Sequence, residues 1–330
     1  MCSTTVVASS SARIDAFATD GVDVYTIEAQ AARACSIASA TPDACREIVT
    51  GEQVGQRLFQ LATDFGWGGK NRPGGPGGGK NLVGLPALSP KAIALQPGRV
   101  LVADDQYKVV VSCPTSGTCT SAEMGLVETS TSGDDDDDAP SVGRSLALSA
   151  SAVVWTQGDE IRGAPLPGPG GVARALARRS DDTTQKTARL AAPGTSDLLW
   201  LSDDGLHYAS APNAAPERWF ARPATDFSFD AERVYLAGPE GLFRLRRTDK
   251  SAALSAPGSF EHVAVDDRGV YATMLDGVDG GRTLVVEARA EKPLELAVVD
   301  GPIDGLAVAG DHVYFMVRAG AGSEIRRVAR

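Results

Sequence analysis

The chain predicts an all-β protein, a closed β-propeller of four-stranded antiparallel blades, seven in number with eight as the alternative. Three observations predict it. A unit made of an alternating apolar strand, a polar turn with Asp or Gly, and a second strand carrying Val-Tyr, Val-Trp or a variant recurs seven times. The 36 Gly and 19 Pro among 330 residues supply the turns that many short strands require. The final unit stops after its third strand, while Thr4-Thr5-Val6-Val7 has strand character and belongs to no unit. Pairing these two leftovers completes the last blade with an N-terminal strand and removes both open sheet edges.

The copies run in order. They are Ile14-Asp15-Ala16-Phe17 with Val24-Tyr25, Ala92-Ile93-Ala94-Leu95 with Val100-Leu101-Val102, and Leu146-Ala147-Leu148 with Val153-Val154-Trp155. Arg189-Leu190 with Leu198-Leu199-Trp200 and Phe227-Ser228-Phe229 with Val234-Tyr235 follow, then Val263-Ala264-Val265 with Val270-Tyr271 and Leu306-Ala307-Val308 with Val313-Tyr314. A third strand such as Leu242-Phe243-Arg244-Leu245 and a short fourth such as Arg218-Trp219-Phe220 complete most units. Units of roughly 36 to 53 residues match blade-length repeats, and radial closure protects edges that an open meander would expose. The competing architecture is a pair of β-sandwiches.

Residues 1–12 read as an N-terminal tether and closing strand, and 13–330 as a single propeller domain with insertions near 51–88 and 129–142. Within the first insertion, Leu58-Phe59-Gln60-Leu61 and Phe65-Gly66-Trp67 read as a degraded strand pair, the basis of the eight-blade alternative. The stretch Glu28 to Ala34 contains good helix formers, but its place after a strand pair predicts the third strand.

The stretch Phe260-Glu261-His262-Val263-Ala264-Val265-Asp266 through Val270-Tyr271 resembles the repeats of bacterial secreted β-propellers, loosely akin to the TolB and NHL-type groups. The resemblance covers roughly residues 13 to 330 and implies architecture only, since such propellers host binding, scaffolding and hydrolysis alike.

A formal charge of −10 repels phosphate backbones, which argues against a nucleic-acid partner. No stretch of about 18 apolar residues is present to span a bilayer. The five cysteines divide into two local pairs and a singleton. Cys35 with Cys45 and Cys113 with Cys119 each fall between the third and fourth strands of a unit, which predicts two hairpin-stapling disulfides and an extracytoplasmic location, periplasmic or at the cell surface. Cys2, directly before a Ser/Thr-rich tract, is where a bacterial lipoprotein carries its lipid, so membrane attachment through a lipidated Cys2 is the expectation set against an ordinary exposed thiol.

Motifs that carry chemistry are weak. Gly74, Gly79 and Lys80 have the spacing of a phosphate-binding loop, but Asn81 stands where Ser or Thr would hold Mg²⁺, so a surface loop is expected. The run Asp134, Asp135, Asp136, Asp137 and Asp138 is a weak Ca²⁺ candidate, because consecutive aspartates repel one another instead of alternating with turn residues. The doublets Asp104-Asp105, Asp203-Asp204 and Asp266-Asp267 read as turn residues. His207, His262 and His312 fall in three units and could meet only across a central channel, so each reads as an ordinary strand or turn residue. The aromatics Tyr25, Trp155, Trp200, Tyr235, Tyr271 and Tyr314 read as one recurring position packed between blades, and Trp67 as a possible contact residue.

The leading functional reading is therefore a non-enzymatic exported binding or scaffold module that presents loops to a protein or glycan, with no cofactor. The alternatives are a hydrolase or lactonase with a metal such as Ca²⁺ at the propeller channel, and a structural subunit of a surface assembly.

Overall fold

The computed structural model describes residues 3–39, 41–65, 87–120, 123–128, 142–149, 152–157, 160–166, 171–172, 174–178, 189–193, 197–210, 214–276, 281–288 and 292–330. Its strands form seven sheets arranged as propeller blades. The chain begins with β1 (Thr5–Ser10) and then builds blade one from β2 (Ile14–Thr19), β3 (Asp23–Glu28), β4 (Ala31–Ser36) and β5 (Cys45–Val49). Helix α1 (Gly51–Phe65) follows, and blade two comprises β6 (Pro90–Gln96), β7 (Arg99–Asp104), β8 (Val109–Pro114) and β9 (Gly125–Glu128). Blade three is β10 (Val142–Leu148), β11 (Ala152–Gln157), β12 (Glu160–Pro165) and, beyond the short β13 (Gly171–Val172), β14 (Arg174–Arg178). Blade four is β15 (Arg189–Ala191), β16 (Leu198–Ser202), β17 (Gly205–Ala209) and β18 (Glu217–Phe220). Blade five is β19 (Asp226–Phe229), β20 (Arg233–Gly238), β21 (Gly241–Arg246) and β22 (Ala252–Pro257). Blade six is β23 (Phe260–Val265), β24 (Val270–Asp276), β25 (Arg282–Glu287) and β26 (Leu294–Asp300). Blade seven is β27 (Ile303–Ala309), β28 (His312–Ala319) and β29 (Gly322–Ala329), with β1 as its fourth strand.

Closure occurs where the leftover strands predicted it. Strand β1 lies antiparallel to β29, with Thr5 opposite Arg327 and Val6 opposite Arg326. Val7 and Ala8 are buried there against Ile14 and Val24 of blade one.

Seven hydrophobic clusters hold the ring together, and each joins two neighbouring blades. Because strand side chains alternate between faces, each blade sends one set of residues to the preceding blade and the other to the following one. This alternation corrects the reading of the aromatics as a single position. Tyr25, Tyr235, Tyr271 and Tyr314 pair across the first hairpin with Ala18, Ser228, Ala264 and Ala307, and they pack on the following blade. In blade three the corresponding partner of Ala147 is Val154, so Trp155 falls one residue later and turns to the preceding blade beside Leu101. Trp200 is displaced likewise and packs beside Val154, while Leu199 takes the position facing blade five. Packing between blades is the role of both sets, from two opposite faces.

In three of the units an aspartate, Asp20, Asp230 or Asp266, stands five residues before the tyrosine. Asp20 accepts the N–H groups of Val22 and Asp23 and the Tyr25 hydroxyl, at 2.9, 2.8 and 3.0 Å. Asp230 does the same for Glu232, Arg233 and Tyr235, at 2.8, 2.7 and 3.2 Å. One side chain thus closes the hairpin and positions the buried ring. Asp104 and Asp266 serve their turns through the Tyr107 and Gly269 N–H groups, as the doublets predicted.

The segment after blade one corrects a second expectation. Leu58 to Phe65 is not a strand pair but part of α1, and no eighth sheet forms among the described residues. Thr50 and Gln53 exchange hydrogen bonds at 2.8 and 3.2 Å as a reciprocal helix cap, and Val54 and Leu58, one turn apart, enter the core between blades one and two. Glu28 ends β3 and Ala31 to Ala34 lie in β4, the predicted third strand.

Candidate functional site at the channel mouth

Every blade begins at its innermost strand, and these seven strands surround the axis with their starting residues at one mouth. In β2, β6, β23 and β27 the ladder slips at the same place, leaving Asp15, Lys91, Glu261 and Asp304 as extra residues opposite their partner strands. A bulge of this kind locally re-aims the strand, and in blades one, six and seven the extra residue is a carboxylate, those of blades one and seven lining the mouth. A cavity of about 360 Å³ occupies the mouth, walled by residues such as Asp15, Phe17, Arg189, Asp226, His262 and Asp304.

Its polar centre is Asp226, whose side chain is only 5% exposed. One carboxylate oxygen accepts the Phe227 N–H at 2.8 Å and binds the Arg189 guanidinium, and the other accepts the Val263 N–H at 3.1 Å and lies 3.6 Å from Nδ1 of His262. The opposite ring nitrogen of His262, Nε2, reaches the Ile303 carbonyl at 3.0 Å. The cluster thus runs from blade four through blades five and six to blade seven. Thr225 Oγ1 reinforces the junction of blades five and six by donating to the Glu261 carbonyl at 2.8 Å.

The electrostatics follow from this geometry. An acceptor faces each nitrogen of His262, and only the doubly protonated ring can donate to both. Burial opposes that charge, but Asp226 and the Ile303 carbonyl outweigh it and lift the imidazole above its ordinary pKa. Burial likewise works against the Asp226 carboxylate, yet Arg189, His262 and the Val263 N–H hold it below its usual range. The two shifts and the geometry favour the charged pair, and Asp226, with both oxygens engaged, is a structural anion within the wall. Asp304 is bridged by Arg318 at 2.8 and 3.3 Å, and Asp15 lies 3.6 Å from Arg13.

A second cavity of about 270 Å³ adjoins the first and shares Arg189 and Leu190 with it. Its other walls are nearly all apolar, with Leu95, Leu148, Phe227 and Phe229 among them.

The histidines separate as the sequence implied, except that His262 belongs to the mouth. His207 lies 2.7 Å from Asp204 within blade four, and His312 begins β28 at the far end of its blade. Among the described residues, no group of three His, Cys, Asp or Glu side chains is arranged to hold a metal ion. The calcium candidates Asp134 to Asp138, the loop with Gly74, Gly79 and Lys80, the contact candidate Trp67 and the lipidation candidate Cys2 lie outside the described residues. Sequence reading missed Arg189, Asp226 and the role of His262. The available signal was the repeat itself: aligned on Asp20, Asp230 and Asp266, the position four residues earlier holds Ala16, Asp226 and His262.

The two predicted disulfides are present, Cys35–Cys45 with its Cα atoms 4.3 Å apart and Cys113–Cys119 with its Cα atoms 5.4 Å apart. Both lie at turns from third to fourth strands, on the face opposite the mouth. Such bonds fit an oxidising, extracytoplasmic compartment. No helix among the described residues is long and apolar enough to cross a membrane.

No protein-family model and no curated protein matches the sequence. Solved β-propellers do match the fold. The β-propeller domain of Cps50 (Swd1) from Myceliophthora thermophila superposes with a TM-score of 0.63 at 10% identity, over 98% of this chain and 99% of that one. The extracellular domain of BT4673 from B. thetaiotaomicron gives 0.60 at 8% identity over the whole chain, and PorZ, a surface component of the type-IX secretion system of Porphyromonas gingivalis, gives 0.56 at 10% identity over 97% of it. This chain spans about 40% of the length of each of those two bacterial proteins. At these identities the likeness establishes a seven-bladed propeller fold, and function rests on the site.

Proposed function

We propose that the protein is an exported, non-enzymatic binding or scaffold module that presents its channel-mouth face to a protein or glycan. The observation that carries this reading is topological. The connections from β5 to β6, from β9 to β10 and from β14 to β15, which include both predicted insertions, all leave and return on the mouth face around the cavity. Strand β1 runs the other way, so its start at Thr5 lies on the far face with the disulfides. A lipid on Cys2, periplasmic or at the cell surface, would hold the propeller by its far face and direct the mouth outward. The Ala-Val-Asp and Val-Tyr repeat supports kinship with TolB or NHL-type propellers as part of this proposal.

Photo-crosslinking residues distinguish the two faces. Arg222 lies between β18 and β19 on the mouth face, and Arg268 in the first hairpin of blade six on the far face, and both are exposed. A single saturable adduct from position 222 and none from 268 is expected on intact cells. Adducts confined to 268, or metal-dependent turnover of a lactone or ester panel by the purified protein, would overturn the reading.

A further inference from the structure

We propose that the channel mouth binds short peptides with free termini and an apolar C-terminal residue. The proposal rests on the reading of the propeller as a binding module and names a ligand for its central cavity. Three features of the wall support it.

The first is the separation of charge. In a ring of seven, blade four lies three steps from both blade seven and blade one, so Arg189 stands across the channel from Asp304 and Asp15. The wall therefore carries a guanidinium at blade four and carboxylates at blades one and seven, with the Asp226 and His262 pair between them, which suits a molecule with a carboxylate at one end and an ammonium at the other.

The second is the state of these groups. The Arg189 side chain is 41% exposed, and only its Nη1 is engaged among the described residues, by the saturated carboxylate of Asp226. The guanidinium is thus held by Asp226, and Nε and Nη2 have no partner among the described residues, which suits a ligand carboxylate. Across the mouth, the counter-ions Arg13 and Arg318 have side chains 60% and 53% exposed, so their pairs with Asp15 and Asp304 exchange at little cost.

The third is the apolar chamber that begins beside Arg189. A carboxylate fixed by Arg189 places the side chain of the residue bearing it at the entrance between Leu95, Leu148, Phe227 and Phe229. An extended chain spans about 3.3 to 3.6 Å per residue, so a ligand of three residues is about 10 Å long. The cavity volumes suit a ligand of that size.

The test is calorimetric titration of the full chain with Ala-Ala-Leu, its N-acetylated form, its C-terminal amide, and Ala-Ala-Glu. Ala-Ala-Leu is expected to bind, and each of the other three to bind at least about tenfold more weakly, since each lacks one complementary feature. The double substitution Asp15→Asn with Asp304→Asn alters rim residues and should remove the preference for a free N-terminus while keeping the preference for a free carboxylate. Substituting Arg189→Gln should remove the carboxylate preference, and the rim variant serves should loss of the Asp226 contact unfold the protein. No detectable heat with any tripeptide at millimolar concentration, or affinities equal within threefold across the four, would overturn the proposal. Such a result leaves the crosslinking outcome of the module reading unaffected.

Discussion

Asp226 shows how one buried side chain joins separate repeats. It receives two backbone N–H groups, from its own blade and the next, and faces a cation on each side. Replacing it by Asn removes the charge that these donors address and leaves Arg189 and His262 without their anion. Charge-assisted bonds of this kind each contribute about 1.5 to 3 kcal/mol, so Asp226→Asn should lower unfolding stability by about 2 kcal/mol in urea denaturation, with an unchanged m-value. An unchanged midpoint would show that the cluster is incidental. His262 carries a pH signature. Its folded pKa is raised, so its contribution is fully present below the unfolded value near 6.5 and is lost as pH rises through the higher folded value. The melting temperature should therefore fall as pH rises above about 6.5, and His262→Gln should flatten that slope. Burial pushes the Asp104 carboxyl up to about 6, so the folded state favours its protonated form and stability falls as pH rises from about 4 to 6, a window below that of His262, and the two effects separate in a pH series.

The two disulfide hairpins form one unit across adjacent blades. Arg46, next to Cys45, donates 2.5 Å bonds to the carbonyls of Thr115 and Gly117 inside the loop closed by Cys113 and Cys119. The Cys119 N–H returns a bond to the Ile48 carbonyl at 3.2 Å. Loops this short gain about 2 to 3 kcal/mol each from cross-linking in the chain-entropy description. Because Arg46 couples them, reduction should loosen both together. Hydrogen exchange of reduced protein is expected to accelerate in β5 and in the loop of residues 115–119, with β20 and β21 of blade five unchanged. Acceleration confined to one hairpin would refute the coupling.

The ring as a whole depends on a single non-local joint, the pairing of β1 with β29. Deleting residues 3–10 removes buried Val7 and Ala8 and exposes the β29 edge to other chains. Burial of one valine contributes about 1.5 to 3 kcal/mol, so the melting temperature should fall by roughly 5 °C or more, with aggregation on heating. A point substitution probes the same joint. A Cβ added at Gly322 would lie 2.0 Å from the Ser10 carbonyl oxygen of the closing strand, so Gly322→Ala should also lower the melting temperature, whereas Gly320→Ala, at an open position of left-handed backbone, should cost less. Equal effects would mean that the seam tolerates displacement of β1.

The sequence by itself determined the blades. Alternation at a period of two, with a turn residue between Val265 and Val270 or between Phe229 and Val234, is a local pattern, and the hairpins obey it. It also determined the closing strand and the cysteine pairs, because an unpaired strand and an incomplete blade leave one economical solution. The helix at 51–65 was legible in Thr50-Gly51-Glu52-Gln53, a capping sequence that an expectation of strands obscured. What only the tertiary structure decided was the set of residues that share the axis. Arg189, Asp226 and His262 lie 37 and 36 residues apart in sequence and meet because closure brings the starts of consecutive inner strands together. The one-residue shift that turns Trp155 and Trp200 toward the preceding blade was likewise invisible, since Val-Trp and Val-Tyr look alike until strand pairing fixes which face each residue occupies.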